Sequence, residues 1–377
     1  MAKVFIEETT LTAIGDAIRG KTGKTELIDP ANMSTEIAGI EAGGGGGVEP
    51  PESAFLISGN CQYKYSGDSW FWFMDAYKNK IQTKDITNMM DMFRQDSLTT
   101  RTWKDFTEFP FVFNVKDIIQ FTNAFSQLNL TESPKIRGTL MWTSYPDFSN
   151  WLSGLKVQSF DDLFLPEMLE GYSALVITSK YNTPRVNNMF ANCAKLTHIP
   201  DWWYKFKLNP ASTVLPTYMY LPLYYAFNNC YSLQEACNLP VVVVNSGADL
   251  TSDQFYNTFN CTYSLSRVTF ETNSDGSPIT AQWKSQTINL TSAGFYNGIT
   301  TLYPSKPENS VYTHDSAVET INSLPDTSAY IASKGGTNTI MFKKTAGSAT
   351  DGGAINTLTE EEIAVATAKG WTVTLVN

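Results

Sequence analysis

Six short segments between residues 86 and 270 share one pattern, and no other feature restricts the fold as much. Each has an apolar residue, two polar or aromatic residues, a small or apolar residue, then a closing phenylalanine: "MMDMF", "FTNAF", "FDDLF", "VNNMF", "LYYAF" and "FYNTF". The closing residues are Phe93, Phe125, Phe164, Phe190, Phe227 and Phe259. A leucine follows five or six residues later in every case: Leu98, Leu130, Leu169, Leu196, Leu233 and Leu265. Intervals between the phenylalanines run 32, 39, 26, 37 and 32 residues. A constant core with variable spacing predicts that stacking residues stay in register while insertions loop out. Each unit leaves an apolar edge that only its neighbour can cover, the condition that builds a solenoid. Further apolar residues such as Ile199 and Val268 predict a short strand in each coil.

The cysteines fit the same scheme. Cys193 and Cys230 share one offset in "FANCAKL" and "FNNCYSL", and Cys261 lies one residue earlier in "FNCTYSL". Five cysteines without a C-x-x-C pair read as small buried thiols, not as a disulfide framework or a zinc site.

On either side of the repeats the chain changes character. Residues 1–42 read as two short helices with apolar stripes Leu11, Ile14, Ile18 and Met33, Ile37, Ile40. The second has Asp29 as N-cap, Pro30 at its first position, and Ile28 with Met33 as a staple. So short a helical piece cannot bury enough surface alone, so it is expected to dock on a partner or self-associate. Residues 43–53, five glycines followed by "VEPPES", form a linker. Residues 54–85 are expected to cap the solenoid at its N-terminal end, with "FLIS" and "CQYKY" as strands paired around a glycine turn. Residues 86–270 make the repeats, and 271–377 hold divergent repeats and a C-terminal cap. That cap is well signposted: Thr359 and Glu362 as a capping box, Leu358 with Ile363 as a staple, Gly370 as a stop, then "WTVTLV" as a strand.

One motif invites a different function. "GDAIRGKTGKT" matches the phosphate-cradling G-x-x-x-x-G-K-[ST] pattern from Gly15 to Thr22. A working phosphate loop follows a buried strand and opens a helix. Here Leu11, Ile14 and Ile18 put the helix before the lysine, and Pro30 blocks one soon after. The best upstream strand for a magnesium-binding acid, Val241 to Val244, is followed by Asn245. The match is a helix end.

"NMFANCAKLTHIP" and "AFNNCYSL" resemble the BspA-type leucine-rich repeat, and "ITNMMDMF" resembles a related twenty-six-residue surface-protein repeat. "TTLTAIGDAIRGKTGKTELIDPANMSTEIAGI" is similar to an N-terminal segment of bacteriophage tail and fibre proteins, and "LTEEEIAVATAKGWTVTL" resembles the ending of such proteins. The resemblance implies an α/β fold: an irregular leucine-rich-repeat-like solenoid preceded by a short helical anchor. It further implies a non-enzymatic virion protein, a tail or baseplate fibre that binds the host surface. Residues 1–42 would join other virion proteins, and the assembly would be a homo-oligomer, with a trimer favoured. The alternatives are a purely structural or capsid-decorating fibre, and a glycan-degrading one. The N-terminus has no apolar signal region, so synthesis and assembly in a host cytoplasm are expected.

The remaining residues offer little chemistry. A formal charge of −10 without a basic run argues against nucleic acid, and no apolar stretch reaches membrane-spanning length. His198 in "LTHIP" reads as a strand-edge residue, and His314 has Asp315 beside it but no second ligand at metal spacing. Asp161 and Asp162 fill variable positions that other units give to asparagine or tyrosine, which reads as solvated surface. No catalytic, cofactor or metal residue is expected. Clustered aromatics stand apart, because neighbours such as Trp202 and Trp203 should diverge from one core. They and Tyr224 and Tyr225, at variable positions, are the candidate receptor-binding residues for a bacterial surface glycan or protein.

Overall fold

The computed structural model describes Asp16 and residues 55–65, 78–93, 107–141, 144, 146–164, 168, 185–205, 223–241, 253–293, 312–343 and 358–376. The chain divides into two units, Met1–Ala54 and Phe55–Asn377. In the first, Asp16 is helical and exposed. The expected anchor residues Leu11, Ile14, Ile18, Met33, Ile37 and Ile40, the lookalike phosphate loop and the linker lie outside the described residues.

The second unit is mixed α/β with parallel sheets. Strands β1 (Phe55–Asn60), β2 (Ile81–Asn88), β3 (Val112–Ile118) and β4 (Lys135–Leu140) form one sheet in that order. β5 (Glu235–Leu239) pairs with β6 (Arg267–Phe270), and β7 (Thr287–Leu290), β8 (Asn338–Lys343) and β9 (Trp371–Val376) make a third sheet. Among the described residues every strand-to-strand pairing is parallel. Parallel neighbours cannot be joined by a tight hairpin, so the chain must travel round and return between strands. This corrects the reading of "FLIS" and "CQYKY" as a pair: β1 pairs with β2, and residues 62–65 are a turn.

The turns following the strands are themselves in register. Phe121, Asn123, Phe125 and Gln127 donate backbone N–H bonds to the carbonyls of Asp147, Ser149, Trp151 and Ser153 at 2.9, 3.1, 3.2 and 2.8 Å. Phe148, Asn150, Leu152 and Gly154 repeat the ladder onto Arg185, Asn187, Met189 and Ala191 at 2.8, 3.1, 3.2 and 2.8 Å. Bonds from Asn188 to Tyr224, Asn192 to Asn228, Tyr225 to Tyr256 and Asn229 to Asn260 continue it. Counting the first apolar residue of each turn as one, the third and seventh positions are left-handed. The third holds Asp91, Asn123, Asn150, Asn188, Tyr225 and Asn257, with φ from 50° to 56°; the seventh holds Gln127, Gly154, Asn192, Asn229 and Cys261, with φ from 59° to 82°. Asparagine and glycine tolerate that region best, which explains the recurring Asn inside an apolar motif.

The fifth position carries the closing aromatic. Rings stack from turn to turn: Phe93 on Phe125 at 5.9 Å and 18°, Phe190 on Phe227 at 5.7 Å and 8°, Phe227 on Phe259 at 6.2 Å and 16°. Leu196, Leu233 and Leu265 are fully buried behind them. Phe164 is a correction. The turn in register between Phe125 and Phe190 is "FSNWL", residues 148–152, so Leu152 takes the fifth position. In the rival frame "FDDLF" the seventh position would fall on Pro166, whose ring holds φ near −65° and forbids the left-handed bend. Phe164 is still buried, bridging in parallel to Ile136 and packing on Trp151 at 5.4 Å.

Cys193 and Cys230 are buried free thiols that donate to the carbonyls of Leu152 and Phe190, both at 3.1 Å. Towards the C-terminus, helices α1 (His314–Ser323) and α2 (Ser328–Lys334) precede β8. The hydroxyl of Thr320 donates to Val268 O at 2.6 Å and pins α1 to β6. Helix α3 (Glu360–Ala368) starts with the capping box of Thr359 and Glu362, Gly370 leaves it at φ 81°, and β9 follows. No described helix is long and apolar enough to cross a membrane.

Candidate functional site

Register decides which side chains of a turn face out. The first, fourth and fifth positions are buried, as in Leu223, Ala226 and Phe227, whereas the second and third stay partly or wholly open in most turns, Ser149 and Asp91 being the buried exceptions. Tyr224 and Tyr225 occupy those two open positions, and Tyr256 is the second position of the next turn. The backbone bond from Tyr225 N to Tyr256 O, 3.1 Å, sets the two turns side by side. Three rings meet as a result. Tyr224 stacks on Tyr256 at 5.7 Å and 18°, and Tyr225 stands edge-on to both, 4.9 Å from Tyr224 and 5.3 Å from Tyr256. Tyr256 is the most open, with 48% of its surface accessible. A hydrogen bond with the Tyr225 hydroxyl raises the Tyr256 phenol above its ordinary value of 10.0.

Tyr225 is held at φ 55°, where five other turns place Asn or Asp and the turn Cys61–Tyr65 places Tyr63 at φ 54°. A left-handed aromatic residue costs about 1–2 kcal/mol, and such strain concentrates at functional positions. Nearby, Tyr231 stacks on Tyr263 at 5.7 Å, the Asn260 amide donates to Asn228 Oδ1 at 3.0 Å, and the Asn229 amide donates to Asn192 Oδ1 at 2.8 Å. Among the described residues this surface presents aromatic rings, phenolic hydroxyls and side-chain amides held in place by bonds between turns.

The structure separates the other two candidates from this surface. Trp202 and Trp203 are 5% and 0% exposed, so neither is available to a receptor. They lie in a short 3₁₀ helix, Asp201–Lys205, whose three residues per turn send neighbours in divergent directions. The expectation of divergence is met, but both directions lead into the core because it continues past the helix along successive turns. Trp202 packs on Phe164 and Phe190 and donates its indole N–H to Phe160 O at 2.7 Å, while Trp203 packs on Phe227 at 5.2 Å. Tyr256 is the residue sequence reasoning passed over. The signal was present: "FYNTF" carries Tyr at the same variable position as Tyr224.

Asp161, His198 and His314 have structural partners. Asp161 accepts from Ser159 Oγ at 2.6 Å and pairs with His198 Nε2 at 2.7 Å. Desolvation raises its pKa, but these two bonds outweigh it and hold the carboxyl below the usual range. A glycosidase acid must instead retain its proton. His198 bridges to Glu235 in parallel, a strand-edge place. His314 reaches Asp315 Oδ1 through Nδ1 at 3.2 Å and Glu362 Oε2 through Nε2 at 3.1 Å, joining the starts of α1 and α3. Among the described residues no group of three or more His, Cys, Asp or Glu side chains could hold a metal ion.

The His314 pair gives a pH dependence. Desolvation lowers the His314 pKa, yet the two carboxylates prevail and lift it above 6.5; the Thr359 backbone bond, with His314, holds Glu362 below 4.5. The histidine's contribution is full below 6.5 and fades as pH rises through its raised value. That of Glu362 is full above 4.5 and fades as pH falls through its lowered value. Both therefore operate together between about 4.5 and 6.5, and thermal unfolding at pH 5.5 should exceed that at pH 8 by no more than ~1 kcal/mol of stability from this contact. His314→Gln should remove that increment, read as the difference between wild-type and variant melting curves at the two pH values.

A scan against family models, a search of curated proteins and a search of solved structures each return no match to this chain.

Proposed function

We propose that this chain is a non-enzymatic bacteriophage virion protein, a tail or baseplate fibre whose body binds a glycan or protein on the bacterial surface. In this reading residues 86–270 are an irregular leucine-rich-repeat-like solenoid, capped by residues 54–85 and followed by divergent repeats and a C-terminal cap in 271–377. Parallel strands, turn-to-turn hydrogen bonds and the recurrent left-handed asparagines support it. Residues 1–42 join the body to other virion proteins, and the assembly is a homo-oligomer, with three copies favoured. The observation that carries the binding reading is the trio of Tyr224, Tyr225 and Tyr256, held open on adjacent turns whose backbones are bonded together. Rigid aromatic anchors supply large contact area at small entropic cost, and phenols and amides match the hydroxyls of a sugar.

The test uses the full chain, fluorescently labelled, on a panel of candidate host bacteria. Tyr256→Ala should weaken adsorption by about tenfold or more, the effect of losing a central aromatic anchor. Tyr225→Asn restores the residue that neighbouring turns carry, so it should raise stability by ~1 kcal/mol and still weaken adsorption. Full adsorption by both variants, or none by the wild type on any strain, sinks the binding role. A purely structural fibre would instead leave adsorption of assembled particles indifferent to these tyrosines.

A further inference from the structure

A groove of about 1030 Å³ opens on a different set of turns, lined by segments around residues 108–112, 131–135 and 156–162 together with Lys195. Its walls are tied together by backbone bonds from Thr131 N to Thr107 O, 2.9 Å, from Lys156 N to Leu130 O, 2.9 Å, and from Thr197 N to Gln158 O, 3.1 Å. The shape is therefore set before any ligand arrives. Volumes of roughly 300–1,000 Å³ suit small-molecule ligands, so this groove has room for several sugar rings.

Both signs of charge face the same space. Lys135 and Lys156 line it together with Glu108, Glu132 and Asp162. Among the described residues neither lysine pairs with a carboxylate, and none of these three acids pairs with a cation. Opposite charges sharing a cleft but not joined to one another leave both kinds of partner available. A purely anionic ligand would meet the three acids, and a purely cationic one the lysines, each at a Coulombic cost that falls with salt because these side chains are exposed. A ligand carrying both signs satisfies both. Hydroxyl and amide side chains, Thr131, Ser133 and Gln158, line the same groove, and Phe111 is a partly buried apolar patch in the wall.

We propose that this groove is a second binding site, for a zwitterionic saccharide: a glycan bearing free amines and carboxylates on the same chain. The choice of a saccharide over a mixed-charge peptide rests on the glycan-binding reading above; the charge requirement does not.

Calorimetric titration of the full chain at low salt distinguishes the cases. The probes are an oligosaccharide alternating glucuronate with unacetylated glucosamine, an oligogalacturonate, a chitosan oligomer, a neutral malto-oligosaccharide and a peptide alternating Lys and Glu. The alternating saccharide should bind at least about tenfold more tightly than the four others, and added salt should weaken it. Lys135→Gln combined with Lys156→Gln should cost about tenfold in that affinity with an unchanged melting temperature, and Val365→Ser, on exposed α3 surface, should cost nothing. Comparable binding of a single-sign or neutral probe, tighter binding of the peptide, no binding of the alternating saccharide, or indifference to the lysine pair overturns the proposal. Failure here with tyrosine-dependent adsorption intact refutes the groove alone. Groove binding with tyrosine-independent adsorption refutes the tyrosine site alone.

Discussion

Phe227→Ala should lower the unfolding free energy by about 3–5 kcal/mol, the range for truncating a fully buried phenylalanine. The ring is completely buried and sits between Phe190 at 5.7 Å and Phe259 at 6.2 Å, with Trp203 edge-on at 5.2 Å. Truncation leaves a void with aromatic walls on three sides, and each of those rings is pinned to its own turn by backbone bonds, so collapse is resisted. Phe227→Leu is the informative companion. Leucine already occupies the equivalent place at Leu152, so the column tolerates its shape, and the expected cost is about 1–2 kcal/mol. Denaturant unfolding of the two variants checks this. A loss below ~1 kcal/mol for the alanine would mean that the stacked rings contribute little to stability.

Gly138→Ala should be about as damaging, for a backbone reason. Gly138 lies in β4 opposite Val115 of β3, at φ 126°. A Cβ there would fall 1.8 Å from the Val115 carbonyl oxygen and 2.8 Å from its carbon. Both are main-chain atoms of a paired strand, so no rotamer change relieves the clash. The β3–β4 pairing has to open, at a cost of ~3 kcal/mol or more. Gly276→Ala is the control: φ is 80° but nothing lies within 4 Å of the added carbon, so only the left-handed penalty of about 1 kcal/mol applies. Equal melting temperatures for the two variants would remove the close approach as the cause.

Local signals were legible wherever their chemistry is short-range. The capping box of Thr359 and Glu362, the stop at Gly370 and the strand from Trp371 stand where residue types alone put them, because caps and left-handed glycines are settled within one turn of chain. The repeat was legible for the same reason at five of its six phenylalanines. It failed at "FDDLF", where the apolar pattern matched and Pro166, two residues past the motif, vetoed the bend. Pattern-matching on side-chain polarity overlooked a backbone requirement.

The candidate site was legible only in part. Tyr224 and Tyr225 could be placed at outward positions from the motif, but which third ring meets them depends on the neighbouring turn, 32 residues away between Tyr224 and Tyr256. Trp202 and Trp203 were misjudged because divergence of adjacent side chains implies exposure only when the core ends beside them. Here it runs on in both directions.

The amino-acid sequence by itself determined the recurring apolar motif, the asparagines able to hold its left-handed corners, and the capped helix and strand at the C-terminal end. These follow from side-chain polarity and backbone sterics acting over a few residues. Only the tertiary structure decided which turn lies beside which, that Leu152 and not Phe164 closes the bend between Phe125 and Phe190, and that tyrosines and opposite charges distant in the chain share surfaces. Those outcomes depend on hydrogen bonds between turns separated by loops of unequal length, and no local rule measures how much chain a loop takes up before the next turn pairs.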